Sequence, residues 1–131
     1  MSYAGSILDK LIAHAEAADA NYTTTRGLSL VTQLNDEDYP HVFAYEPNMA
    51  IALIPFRQER VSGDFNVLIA TKGETQEQLL VRADAFRARI QADRTLTGDV
   101  DTAYVSSIEV FEDPRSGVRA ARVVVSTEEV E

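Results

Sequence analysis

Hydrophobic positions recur along this chain with two different periods. Ile7, Leu8, Leu11, Ile12 and Ala15 repeat at helical spacing behind Ser6-Ile7-Leu8-Asp9, which is spaced as a capping box, and predict a helix over residues 7–18. Asn21 and Thr23-Thr24-Thr25 end it, because short polar and β-branched side chains favour caps, turns and strands over helix interiors. Residues 22–34 then alternate: Leu28 and Leu30 fall on one side of a pleat and Ser29, Val31 and Gln33 on the other. This predicts a strand with Gly27 at a bulge position. Asn35-Asp36-Glu37-Asp38-Tyr39-Pro40 is polar, acidic and ends in proline, which predicts a surface loop, followed by a short edge strand over residues 41–45.

Met49-Ala50-Ile51-Ala52-Leu53-Ile54-Pro55-Phe56 is too short for a helix and apolar enough for a strand buried on both faces. Asp64-Phe65-Asn66-Val67-Leu68-Ile69-Ala70 answers it across a polar connection containing Ser62-Gly63. The pair predicts a long hairpin with Arg57, Gln58, Glu59 and Arg60 at its projecting end. The next helix is marked more strongly. Thr75-Gln76-Glu77-Gln78 is a capping box, and Leu79, Ala83, Phe86 and Ile90 step by four, three and four along one face, leaving Arg82 and Arg89 outward. It ends near Ala92-Asp93, where Gly98 supplies a positive φ. Strands over residues 100–111 and 118–127 follow, joined by Glu112-Asp113-Pro114-Arg115-Ser116-Gly117, and residues 128–131 read as a fraying acidic tail.

The expected fold class is α+β, a mostly antiparallel sheet with two helices packed on one face and a C-terminal β-hairpin. At 131 residues it forms one domain spanning 1–131. The absence of cysteine excludes disulfides and thiolate metal sites. No apolar stretch approaches the roughly 20 residues of a membrane helix, and the N-terminal residues lack the basic-then-apolar pattern of a signal peptide. Neither export nor a membrane partner is expected. Asp plus Glu outnumber Lys plus Arg by 21 to 12, a formal charge of −9, so the surface as a whole does not attract nucleic-acid phosphates.

Catalytic chemistry finds little support. His14 and His41 have no imidazole or carboxylate at metal-pair spacing and read as surface or partly packed residues. Asp36-Glu37-Asp38 lacks the alternating oxygen ligands, central glycine and distal glutamate of a calcium loop. No serine lies in a Gly-x-Ser-x-Gly context, and the glycines are too scattered for a phosphate-cradling loop. No catalytic, cofactor-binding or metal-ligating residue is assigned, and the chain is expected not to be an enzyme. Two other function classes are compatible with the same residues: a small adaptor or ligand-binding module, monomeric or dimeric, with an open sheet face, and a hydrolase or transferase built on dispersed carboxylates.

The junction Ile90-Gln91-Ala92-Asp93-Arg94-Thr95-Leu96-Thr97-Gly98-Asp99-Val100, followed by Val105, Ile108 and a Val-rich strand, resembles the helix, Asp-x-Thr-Leu-x-Gly-x-Val turn and paired terminal strand of tail terminator (tail-completion) proteins of long-tailed bacteriophages and prophages. The order of elements over residues 7–127 resembles them too. The resemblance implies a virion structural protein, assembled in the host cytoplasm, that forms a homo-oligomeric, hexameric ring in the tail neck. That ring caps the tail tube protein, docks the head connector or head-completion protein, and lets DNA pass without specific binding. It carries over no catalytic residues. Arg57, Gln58, Glu59 and Arg60 at the hairpin end, with Arg115 and Ser116 in the terminal turn, are the candidate interface residues.

Overall fold

The computed structural model describes residues 3–26, 36–54, 58–98 and 100–130. Helix α1 (Tyr3–Ala18) leads to strand β1 (Thr23–Arg26), a 3-10 turn at Asp36–Asp38, strands β2 (His41–Ile54) and β3 (Gln58–Lys72), helix α2 (Gln76–Ala92), and strands β4 (Thr102–Asp113) and β5 (Val118–Val130). The strands form a single sheet in the order β1-β2-β3-β5-β4, antiparallel throughout except for the parallel pair β1–β2. The expected α+β class and the C-terminal strand pair are both present.

Both helices pack on one sheet face. Ile7, Leu8, Leu11 and Ala15 of α1 and Leu79, Ala83, Phe86 and Ile90 of α2 meet Val42 and Ala44 of β2, Phe65, Val67 and Ile69 of β3, and Ala121, Val123 and Val125 of β5. On each strand these positions alternate, as the pleat requires, and Phe43 and Ala70 at intervening positions are fully buried as well. In β4 a bulge between Val105 and Ser107 shifts that parity, so Ala103 and Val105 before it and Ile108 and Val110 after it all turn toward the core. A second bulge in β2, between Tyr45 and Asn48, accommodates Glu46 and Pro47 opposite a single β3 residue, which is where a proline without an N–H is tolerated inside a ladder.

The capping box of α2 is formed as predicted: the Gln78 N–H donates to Thr75 Oγ1 at 3.2 Å and the Thr75 N–H donates to Gln78 Oε1 at 2.8 Å. That of α1 is not the start of its helix, which begins at Tyr3 and carries Ser6 in its interior.

Several expected boundaries move because the sheet is longer than local pattern indicates. Residues 41–45 are not a short edge strand. They begin a 14-residue β2 that is flanked by β1 and β3. Ser62 and Gly63 are not a connection but paired strand residues, facing Ala50 and Met49 on one side and Glu128 and Thr127 on the other. Glu128, Glu129 and Val130, read as a fraying tail, remain in β5 against Ser62, Val61 and Arg60. Cross-strand pairing overrides the like charge of these residues once partners stand on the neighbouring strand. Of the strand expected over residues 22–34, only β1 falls among the described residues, and the Gly27 bulge position lies outside them.

Candidate functional site

The two groups of candidate interface residues stand at opposite ends of the sheet. Gln58, Glu59 and Arg60 open β3, paired with Ile54, Leu53 and Ala52 at the end of the β2–β3 hairpin; Arg57 lies outside the described residues. Arg60 is also opposite Val130, the last residue of β5. Arg115 and Ser116 occupy the β4–β5 turn, before the first residue of β5. Thirteen residues of β5 at about 3.4 Å each separate the groups by roughly 40 Å. Within the turn, Asp113 accepts from the Arg115 N–H at 3.1 Å and from the Ser116 hydroxyl at 2.9 Å, and Gly117 adopts φ 75°. The Ser116 hydroxyl therefore serves the turn, while Arg115 is exposed and unpaired among the described residues.

The junction after α2 is the most constrained backbone in the described chain. Leu96 and Thr97 have φ 47° and 58°, conformations that cost a non-glycine residue roughly 1–2 kcal/mol each, and Gly98 follows at φ 92°. Asp93 holds this turn. Its carboxylate accepts from the Thr97 N–H at 2.8 Å, the Thr97 hydroxyl at 3.0 Å and His14 Nε2 of α1 at 2.8 Å. Burial opposes ionisation of Asp93, but the Thr97 N–H, the His14 ring and the Thr97 hydroxyl outweigh it and hold the carboxyl below the usual range. The result drives Leu96 completely into the core and positions Val100 there as well. The motif is thus a packing device that starts β4 in register.

A shallow cleft of about 370 Å3 opens between the helices, lined by Asp19, Tyr22, Glu74, Gln78, Val81 and Arg82. Contrary to expectation, Arg82 does not point freely outward. It makes a two-pronged bond to Glu74 (2.8 and 2.7 Å), another to Asp19 at 2.7 Å, and lies 5.3 Å from the centre of the Tyr22 ring. The Glu74 bonds, followed by those to Tyr22 and Asp19, raise its pKa further. The Asn21 N–H and Arg82 hold Asp19 below the carboxylate range, while burial pushes Tyr22 up. The polar groups in this cleft are committed to one another. It is a clamp between α1 and α2.

Both histidines are engaged in hydrogen bonds between elements. His41 is 6% exposed, more buried than expected, and links β2 to β1. Its Nδ1 lies against Thr23 Oγ1, which donates to the Asp38 carbonyl, and its Nε2 lies 2.7 Å from Thr25 Oγ1. A neutral ring protonated at Nδ1 satisfies all three bonds, with the Thr25 hydroxyl donating to Nε2. Burial depresses its pKa against the opposing charge of Asp38. Among the described residues no three His, Asp or Glu side chains converge as a metal site would require. Among the described residues, no helix is long and apolar enough to cross a membrane.

One arrangement was not visible in the sequence. Arg87, Gln91 and Arg94, spaced four and three apart along α2 and its exit, form one wall of a cleft of about 320 Å3 whose other wall is Thr102, Ala103, Tyr104 and Val105 of the edge strand β4. Among the described residues, neither arginine has an ion pair, whereas Arg82, Arg119 and Arg122 are each within 3 Å of a carboxylate. The helical spacing of the arginines was legible; their meeting with β4 was not, because the strand is contributed by residues beyond the turn.

No protein-family model matches the chain, and no curated protein matches it in sequence. In fold it is similar to a chain of a solved structure, the virion of a native gene transfer agent (GTA) particle, with a TM-score of 0.61 and 10% sequence identity. The alignment covers 100% of this chain and 99% of that one. End to end, then, this chain has the α+β fold of a component of that virion.

Proposed function

We propose that this protein is a virion structural protein acting as a tail terminator. In this reading several copies, hexameric by family resemblance, close into a ring at the neck, cap the tail tube protein to stop its polymerisation, and dock the head connector or head-completion protein. The observation that carries it is the end-to-end likeness of fold to a virion chain, joined to the helix-turn-strand junction at Asp93–Val100 on which the family resemblance rests. The opposite placement of residues 58–60 and 115–116 fits a two-sided part, which must meet the tube on one side and the connector on the other. A net charge of −9 fits a channel that DNA traverses without adhesion. The mechanism is mechanical and needs no catalytic residue.

Native mass together with negative-stain imaging tests this, on the protein alone and after mixing with purified tail tubes. The expected result is a closed ring, or density at one tube end with halted growth. A monomer or dimer that ignores the tubes overturns the reading and returns the small adaptor or ligand-binding module to the front.

A further inference from the structure

A cyclic ring requires a heterologous contact, in which one patch of a subunit meets a different patch of its neighbour. Copies carrying a formal charge of −9 repel each other at long range, so such a contact forms most readily where a cationic patch on one copy meets carboxylates on the next. The cleft between α2 and β4 supplies the cationic patch. Its wall offers two guanidinium groups, Arg87 and Arg94, with the Gln91 amide between them, all exposed. The β4 segment Thr102–Val105 closes the other side. None of these side chains has a hydrogen-bond or ion-pair partner among the described residues. The set is rich in donors and suits carboxylates, which accept only.

The cleft also has a boundary. Past the bulge at Ser106, the helix-side carboxylate of β4, Glu112, is already bonded to Arg119 and offers no free cation to a partner. The attractive stretch is therefore the first few residues of β4 beside the arginines. Among the described strands, the sheet order puts β4 at one edge and β1 at the other. At the β1 edge stands the acidic 3-10 turn Asp36–Asp38, tied to β1 by the bond from Thr23 Oγ1 to the Asp38 carbonyl and presenting Glu37 to solvent.

Building on the ring reading, we infer that the Arg87–Gln91–Arg94 cleft receives the Asp36–Asp38 turn of a second copy of this chain, a head-to-tail contact between opposite sheet edges.

The chain contains no cysteine, so the contact can be trapped without background. Glu37→Cys and Arg87→Cys variants, mixed under mild oxidation alone and on tail tubes, should give a disulfide-linked dimer absent when Glu37→Cys is mixed with Arg115→Cys. In parallel, Arg87→Glu/Arg94→Glu and Glu37→Arg should each weaken association by about tenfold or more at low salt, with unchanged circular dichroism. Rings that form normally from both variants, with no specific cross-link, overturn this contact and leave the terminator reading standing. If wild type neither associates nor binds tubes, both fall.

Discussion

His41 sits where a positive charge would be costly: buried, with both ring nitrogens already bonded to threonines, in a network that the neutral ring completes. Its folded pKa is therefore depressed, by burial acting against the Asp38 charge. Between the folded value and the ordinary 6.5 the unfolded chain binds the extra proton, so the stability owed to neutral His41 is complete above about pH 6.5 and is lost as pH falls through the folded value. The expected outcome is a midpoint of thermal unfolding that declines from pH 7 to pH 5, and a His41→Gln variant whose decline over that range is shallower. A parallel decline in both proteins would remove His41 as its source. Asp19 and Asp93, both held low, contribute in the same direction at more acid pH.

At the scale of elements, α2 is held by one face. Leu79, Ala83, Phe86 and Ile90 are essentially inaccessible, while neighbouring Val81 is 68% exposed. Phe86 is the largest of the four and lies in the common core with residues of β3 and β5. Truncating Phe86 to Ala should lower stability by about 3–5 kcal/mol, read from denaturant unfolding, because the rigid sheet beneath cannot collapse into the space left. Val81→Ala should change little, and an equal loss at the two positions would contradict this packing. Element limits were less legible than element types. The face of α2 repeats within one helix, whereas the full lengths of β2, β3 and β5 depend on ladders whose partners lie as far apart as Arg60 and Val130.

The whole molecule separates its two predicted contact regions by the length of the sheet. Reversing charge at Arg57 and Arg60 together should reduce capping of tail tubes while leaving the thermal midpoint near that of wild type, since Arg60 stands where the β3–β5 ladder ends, outside the common core. Counting capped tubes in negative stain checks it; unchanged capping would take these residues out of the proposed contact. Arg115, at the far end, serves as the control for a contact with the other neighbour.

The sequence alone determined the α+β class, the existence and buried face of α2, its capping box and the positive φ at Gly98, because each arises from periodicity or backbone sterics within a few residues. It also limited the chemistry, through the absence of cysteine and the excess of carboxylates. Only tertiary structure decided that Arg82 is clamped while Arg87 and Arg94 are unpaired among the described residues, that His41 is interior, and that residues 128–130 belong to the sheet. These outcomes depend on which groups meet across long stretches of chain. A side chain's burial and charge pairing belong to the surface it finally faces, and local sequence does not specify that surface.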